Sequence, residues 1–402
     1  MRSGDTSASL AGKRIVFVFA GEILGGAERG ALDLALPLVH AEGAHVEILA
    51  LDDRPGRARE IAEAEGIPWS SVRTPWTGSR LARTLSVLRV ALALRRLNPD
   101  VILAHTNLPN VVCGLAWRLT GARLSVWNQW DVLGTRRFSA GLFRRALQAT
   151  PLVITEAVHA RDWLTEEWGA DPSRIHVIRG DVQLSPPRDG RDAWRRRLGL
   201  SDGDFAVCML AHFHSGKDHR TLLHAWRRVV DELGEGGPNP VLLLAGRPAG
   251  SENSVKALAF DLDLHDHVRF LGDVDDVPGL LGAVELAAFN SRSELFGRGA
   301  TEPMRLGLPV VATDVPGIRE AVGEVGAPFL APPGDDKVLA DAIVVFARDP
   351  ALRARVGAAN AELMKDRQSA EVTWRVYAKL VAAMLDGKSK DDRRAASETV
   401  PR

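Results

Sequence analysis

RIVFVFAGEILGGAERGALDLALPLVH, residues 14–40, carries the reading of the fold. After Arg14 comes an unbroken apolar run to Ala20, the pattern of a strand buried on both faces rather than one with a wet side. A glycine turn, GEILGGAERG (21–30), follows, and apolar residues then recur at helical spacing from about Glu28 to His40. The next strand is HVEILAL (45–51). The alternation continues through VILAHT (101–106), RLSVWNQW (123–130), PLVITEA (151–157) and IHVIRG (175–180), with helical patterns between them. Strands alternating with helices predict a parallel, doubly wound α/β sheet with crossover helices.

The periodicity lapses in QLSPPRDGRD (183–192), rich in proline and charge, and restarts with FAVCMLA (205–211). Strands PVLLLAG (240–246), HVRFLG (267–272), VELAAF (284–289) and PVVAT (309–313) follow, again with helices between. A chain of 402 residues exceeds a single core. The expectation is therefore two Rossmann-like domains, over 13–183 and 193–366, joined by a linker at 184–192. A flexible start (1–12), a long amphipathic helix (367–387) packing back on the first domain, and a disordered charged tail (388–402) complete it. Tandem open sheets bind ligands at the carboxyl ends of their strands, so the crevice between the domains is the expected site.

Charge is balanced, with 51 basic and 51 acidic residues, which argues against general nucleic-acid binding. Mean hydropathy is −0.06, and no apolar run is long enough to span a membrane. The first residues lack the apolar core of a secretory signal. Cys113 and Cys208 lie in apolar segments and read as buried thiols of a reducing, cytoplasmic compartment.

Three stretches carry candidate chemistry. The turn at 21–28 offers Gly25 and Gly26, whose amides at a helix start could approach an anion, or simply meet the geometry of a strand–helix turn. It matches neither a dinucleotide fingerprint nor a P-loop. AHFHSGKD (211–218), after the second domain's first strand, presents Lys217, suited to neutralise a diphosphate leaving group. SELFGRGATEPMRLGLPVV (293–311) sets Glu294 and Glu302 on either side of a glycine turn. In one continuous helix these carboxylates would not share a face. With Gly297 breaking the run, Glu294 falls on a loop and Glu302 in the first turns of a helix, with orphan amides between them. A phosphate flanked by two hydroxyl-rich groups fits such a loop, because carboxylates accept hydrogen bonds from sugar diols.

These residues resemble the retaining, GT-B-fold glycosyltransferases of family 4, the glycosyl transferases group 1. The resemblance rests on Ser291, Glu294, Phe296, Gly297 and Glu302, then GLPVVATD (307–314) and the segment Gly317 to Glu320. VRFLGDVDDVPGLLGAVELAAFNSRSE (268–294), PPGDDKVLADAI (332–343) and GGAERGALDLALPLVHAEGAHVEIL (25–49) extend it over nearly the whole chain. It implies transfer of a sugar from a nucleotide-diphosphate sugar, UDP-linked before GDP-linked, with net retention and no metal or other cofactor. The acceptor would be a glycan, a lipid-linked or a small molecule. By position, Glu302 would hold the ribose and Glu294 the donor sugar, with backbone amides of Phe296, Gly297 and Arg298 nearby. Lys217 would neutralise the phosphates, Gly25 and Gly26 would close on them, and Leu271 and Val274 would face the base.

Three positions depart from the family pattern. His212 stands where an arginine usually precedes the phosphate lysine, leaving Arg298 or Arg247 to supply the second charge. Pro303 follows Glu302, which predicts a late or kinked helix start with Thr301 as its cap. No histidine follows the strand LSVWNQ; Asn128, Gln129 and Asp131 occupy that neighbourhood, as sugar or acceptor contacts or as loop structure. Pairs such as Asp261 with Asp263, or Asp273 with Asp275 and Asp276, read as ordinary acidic loops rather than metal ligands, and His105 lacks ligand spacing. SRLARTLSVLRVALALRRL (79–97) holds Arg80, Arg83, Arg89, Arg95 and Arg96 and no acidic residue, and Arg136, Arg137, Arg144 and Arg145 follow. Such a helix suits peripheral contact with anionic lipid at the inner face of a membrane; a solvated basic face is the plainer alternative. A nucleotide-sugar epimerase of similar fold, or a binding module without turnover, are the rival functions.

Overall fold

The structure, a computed structural model, describes residues 9–22, 25–76, 79–131, 138–179, 184–234, 236–366 and 370–387. The extreme N-terminus, Ile23 and Leu24, Arg136 and Arg137, and the tail 388–402, named above, lie outside them.

The chain forms two compact units, Met1–Asp181 with Gln368–Arg402, and Val182–Arg367. The first unit holds a seven-stranded sheet in the order β3-β2-β1-β4-β5-β6-β7. Its strands are β1 (Arg14–Phe19), β2 (His45–Ala50), β3 (Trp69–Ser71), β4 (Val101–His105), β5 (Leu124–Gln129), β6 (Leu152–Thr155) and β7 (Ile175–Val177). The pairings are parallel throughout. Central β1 is buried after Arg14, as its continuous apolar run requires. Helices α1 (Gly26–His40), α2 (Arg57–Ala64), α3 (Arg80–Leu97), α4 (Asn107–Ala116), α5 (Ala140–Ala149) and α6 (Val158–Glu166) make the crossovers.

The second unit holds a six-stranded parallel sheet in the order β10-β9-β8-β11-β12-β13. It comprises β8 (Phe205–Leu210), β9 (Pro240–Ala245), β10 (Val268–Gly272), β11 (Leu286–Phe289), β12 (Val310–Thr313) and β13 (Leu330–Ala331). Its helices are α7 (Arg191–Arg197), α8 (His219–Leu233), α9 (Glu252–Asp261), α10 (Val277–Gly282), α11 (Arg298–Arg305), α12 (Pro316–Gly326), α13 (Asp336–Arg348) and α14 (Pro350–Asp366). In each sheet the strand order reverses once, between β1 and β4 and between β8 and β11. Crossover helices leave such a switch point on opposite faces and open a crevice at the carboxyl ends of the two strands.

Helix α15 (Ala370–Leu385) belongs to the first unit, although it follows the second in sequence. Trp374, Tyr377, Leu380 and Val381 join the core formed by Leu10, Ile15, Phe17 and Leu32. Three polar ties accompany this burial: the Tyr377 hydroxyl to Asn128 Oδ1 at 2.7 Å, the Arg123 guanidinium to the Leu385 carbonyl at 2.9 Å, and the Thr373 hydroxyl to the Arg179 carbonyl at 3.2 Å.

Candidate active site

In the second unit, β8 and β11 are neighbours, and the segments leaving them are stitched together by the backbone. The Lys217 amide donates to the His214 carbonyl at 2.9 Å, and that of Asp218 to the Asn290 carbonyl at 3.0 Å. The Arg292 amide and the Ser291 hydroxyl both donate to the Gly216 carbonyl, at 3.0 and 3.2 Å. Asp218 then caps α8, its carboxylate accepting from the Thr221 hydroxyl at 2.8 Å. These bonds fix the base of Lys217. Its ammonium forms an ion pair with the Glu294 carboxylate and lies 4.7 Å from the centre of the Phe289 ring. The pair is partly shielded, the lysine side chain 26% exposed and the glutamate 11%. A charge there interacts more strongly with a ligand than one in open water.

Gly297 precedes α11 in the left-handed region, with φ 74°. A side chain on the next glycine, Gly299, would meet the Phe289 ring at 2.3 Å. The GRG spacing thus lets the first turn of α11 lie directly on the aromatic floor beneath Lys217. Leu295 and Phe296 are buried, so Phe296 can offer a ligand its backbone rather than its ring. Glu302 is the fifth residue of α11 and half-buried.

The expected late or kinked start at Pro303 is not what forms. Helix α11 begins at Arg298, Gly297 occupies the cap position, and the Thr301 hydroxyl donates to the Arg298 carbonyl at 3.1 Å instead of capping. Pro303 is the sixth helical residue, so the bond it lacks is the one a normal residue would make to the Gly299 carbonyl. The loop geometry imposed by Gly297 sets the start, one full turn before the proline can act.

His212 is held beside Arg247 by the bond from the Phe213 amide to the Arg247 carbonyl, 3.1 Å. Burial and the Arg247 charge hold the imidazole below the ordinary histidine range, against a smaller opposing pull from Asp273. At neutral pH His212 is therefore uncharged. Its Nδ1 is buried without a hydrogen-bond partner among the described residues. Leu271 and Val274 pack half-buried against the cluster around Trp194 and Leu280.

Asp276, one of the acidic-loop residues, has a structural task. Its carboxylate accepts from Trp194 Nε1 at 2.8 Å, from the Arg188 and Asp189 amides at 3.1 Å each, and from the Gly279 amide at 3.2 Å. The segment leading into α7 is thereby clamped to the start of α10. Burial pushes this carboxyl up, but those bonds outweigh it and hold it below the usual range.

In the first unit, the amide of Gly25 donates to the carboxylate of Glu28 at 3.1 Å. The start of α1, beside Gly26, is thus met by an internal carboxylate. Asn128 is fully buried: its amide donates to the Ala104 carbonyl at 3.0 Å while its oxygen accepts from Tyr377. That makes it a post for α15, with no face left for a sugar. Asp131 is different. One oxygen accepts from the Asn107 amide at 3.0 Å, the other from Gln129 Nε2 at 3.0 Å. Burial pushes its carboxyl up to about 7; the Asn107 bond opposes this and the Glu28 charge adds to it.

The end of β4 holds a buried aromatic cluster and a strained residue. His105 is fully buried, stacked on Phe17 at 5.2 Å and packed against Trp130 at 4.9 Å. Burial lowers its pKa to about 3, so it is a neutral aromatic element. Thr106 follows with φ 71°, a costly conformation for a β-branched residue, at the point where α4 leaves the sheet. No motif signals it; only the strand end hints at it.

Residues 190–363 match the family model described as Glycosyl transferases group 1, and residues 24–185 match Glycosyltransferase Family 4. The chain is 30% identical over 358 residues to the phosphatidyl-myo-inositol mannosyltransferase of Mycobacterium leprae, covering 86% of this chain and 89% of that protein. It belongs to the group 1, family 4 glycosyltransferases. The glycosyltransferase is also 32% identical over 251 residues to a Streptomyces scabiei D-inositol 3-phosphate glycosyltransferase. That match covers 60% of this chain and 56% of the relative. Among solved structures, Anabaena HepE in complex with UDP and glucose superposes with TM-score 0.78 at 24% identity, over 92% of this chain and 100% of that one. Sucrose-phosphate synthase of Thermosynechococcus elongatus superposes with TM-score 0.75 at 18% identity, over 94% and 100%. These likenesses establish the GT-B fold of the glycosyltransferase. Among the described residues no helix is long and apolar enough to cross a membrane.

Proposed function

We propose that this glycosyltransferase takes its sugar from a nucleotide-diphosphate donor, UDP-linked by preference, and transfers it with retention at the anomeric carbon. The observation that carries the reading is the Lys217–Glu294 pair, seated on Phe289 at the carboxyl ends of β8 and β11. HepE, a structural neighbour, is described in complexes with UDP and with UDP-glucose, which supports a donor of that class.

In this reading the diphosphate draws the Lys217 ammonium away from Glu294, which is freed to accept hydrogen bonds from the donor sugar. Glu302 holds the ribose, and the amides of Phe296, Gly297 and Arg298 face the phosphates. Arg247 supplies the second positive charge, because neutral His212 beside it cannot. His212 offers a hydrogen bond instead. Leu271 and Val274 flank the base.

The bond from the anomeric carbon to the phosphate oxygen breaks as the acceptor hydroxyl bonds the same face. The acceptor proton passes to the departing phosphate, and Lys217 stabilises the charge that develops there. No metal is required by this chemistry. The two relatives above are named for inositol-bearing substrates, which supports a polyhydroxylated acceptor, whether glycan, lipid-linked or small.

Incubating the protein with UDP- and GDP-sugars, with and without chelator, tests this. Slow release of UDP that Lys217→Ala abolishes and chelator leaves unchanged is expected. Interconversion of the sugar while still nucleotide-linked would replace the proposal with an epimerase. Donor binding without release across a panel of polyol acceptors would reduce it to a binding module.

A further inference from the structure

Helix α3 carries apolar residues on two faces. Ser86, Val90, Ala91 and Leu94 are buried, with Val90 and Leu94 packed in the cluster of Val16, Val18 and Ile102. On the opposite side Leu81, Leu85, Leu88 and Leu92 are 68%, 45%, 43% and 56% exposed. At 3.6 residues per turn these four fall within an arc of about 60°. Arg89, Arg95 and Arg96 are exposed along the edges of that arc, and Arg80 is exposed in the first turn. Arg83 turns toward the packed side and is half-buried. The short turn Trp117–Leu119 packs against α3, and its Arg118 and Leu119 are exposed, the latter 51%. Residues 79–97 contain no carboxylate.

A row of leucines facing water is unfavourable unless something covers it. The charge around it selects the cover. A second copy of this chain, related by a twofold axis, would set one arginine border against another. Nucleic acid would use the arginines and leave the leucines in water. An anionic bilayer surface satisfies both: leucines enter the boundary between headgroups and acyl chains, and guanidiniums meet lipid phosphates. We propose that α3 docks this protein on anionic lipid, lying flat in the interface.

Sedimentation of the full chain with vesicles tests this without any sugar donor, so its outcome is separate from that of the donor chemistry. The protein is expected to pellet with vesicles containing phosphatidylglycerol and weakly with phosphatidylcholine alone. Leu85→Gln/Leu88→Gln/Leu92→Gln is expected to lose binding about tenfold or more, since each leucine contributes buried apolar area. Arg89→Gln/Arg95→Gln/Arg96→Gln is expected to lose the preference for anionic vesicles, by about fivefold per arginine. These side chains are exposed, so both variants should keep the parent's circular dichroism and melting temperature. If the leucine triple fails to fold, Leu88→Gln alone gives the graded loss. Absence of sedimentation with either vesicle, or binding that neither triple changes, overturns the proposal. So does a dimer that the leucine triple turns into a monomer with no effect on lipid binding.

Discussion

Lys217 and Glu294, 77 residues apart, form an ion pair over the ring of Phe289. The two groups lie on loops leaving adjacent strands, β8 and β11, so the pair exists only because the sheet reverses its order between them. In the proposed reaction the donor's diphosphate would replace Glu294 as the partner of this cation. Lys217→Ala is expected to lower turnover by about 10²–10³, the usual cost of removing a charge-stabilising donor. The double variant with Glu294→Gln should be little worse than Lys217→Ala alone, because the groups act together. Steady-state nucleotide release from the four proteins measures the coupling; fully additive losses would separate the roles of the two residues.

Glu302 and Glu294 should fail differently. Glu302→Ala is expected to weaken UDP binding by roughly tenfold to a hundredfold, the scale of a lost charged hydrogen bond. Glu294→Ala is expected to leave UDP affinity within about threefold while cutting turnover. Calorimetric titration with UDP, read beside turnover, distinguishes them. Equal small effects from both would remove these assignments.

Gly317, in the first turn of α12, keeps Glu294 in place. A side chain there would stand 2.3 Å from the Glu294 carbonyl and 2.6 Å from that of Leu295. Gly317→Ala is expected to cost about 2 kcal/mol or more and to lower activity, since the backbone carrying Glu294 must move. Gly282→Ala is the control, as nothing lies within 4 Å of its side-chain direction. Thermal melts of the two variants should diverge clearly.

Two carboxyls predict opposite responses to pH, one in each unit. Asp131 has a folded pKa raised from 3.8 to about 7, so the native state holds a proton that the unfolded chain has lost. Its contribution is complete below about pH 4 and disappears as pH rises toward 7. Asp131→Asn should flatten that slope, by a fraction of the roughly 4 kcal/mol that a carboxyl shifted this far would carry. Asp276 is held below 3.8, so its contribution is present above that value and is lost as pH falls through its folded pKa. Asp276→Ala should remove part of the acid sensitivity and also loosen the Trp194 clamp, readable in tryptophan fluorescence. Denaturant midpoints across pH 3 to 8 (about the accessible range) test both signs.

Tyr377→Phe should destabilise the first unit by about 1–2 kcal/mol, because Asn128 Oδ1 is left buried without its 2.7 Å partner. Hydrogen exchange at α15 and β5 should rise more than exchange in the second unit.

The amino-acid sequence by itself determined the class of fold. Continuous apolar runs such as 15–20 and 205–211 read as strands covered on both faces, and their alternation with helical patterns points to parallel crossovers. It also marked Lys217, Glu294 and Glu302 as separate candidates, since motif spacing is local information. What the tertiary structure decided is what those residues touch. The charge of His212 depends on burial beside Arg247, and the elevated Asp131 carboxyl on desolvation near Glu28. Asn128, which reads in sequence as a loop contact, became a buried post because α15 returns from the far end of the chain. Pro303 suggested a broken helix start, but Gly297 at φ 74° had already set it. Spacing along a chain fixes which element a residue joins; desolvation and long-range pairing, which decide its charge and its partners, arise only when distant elements pack.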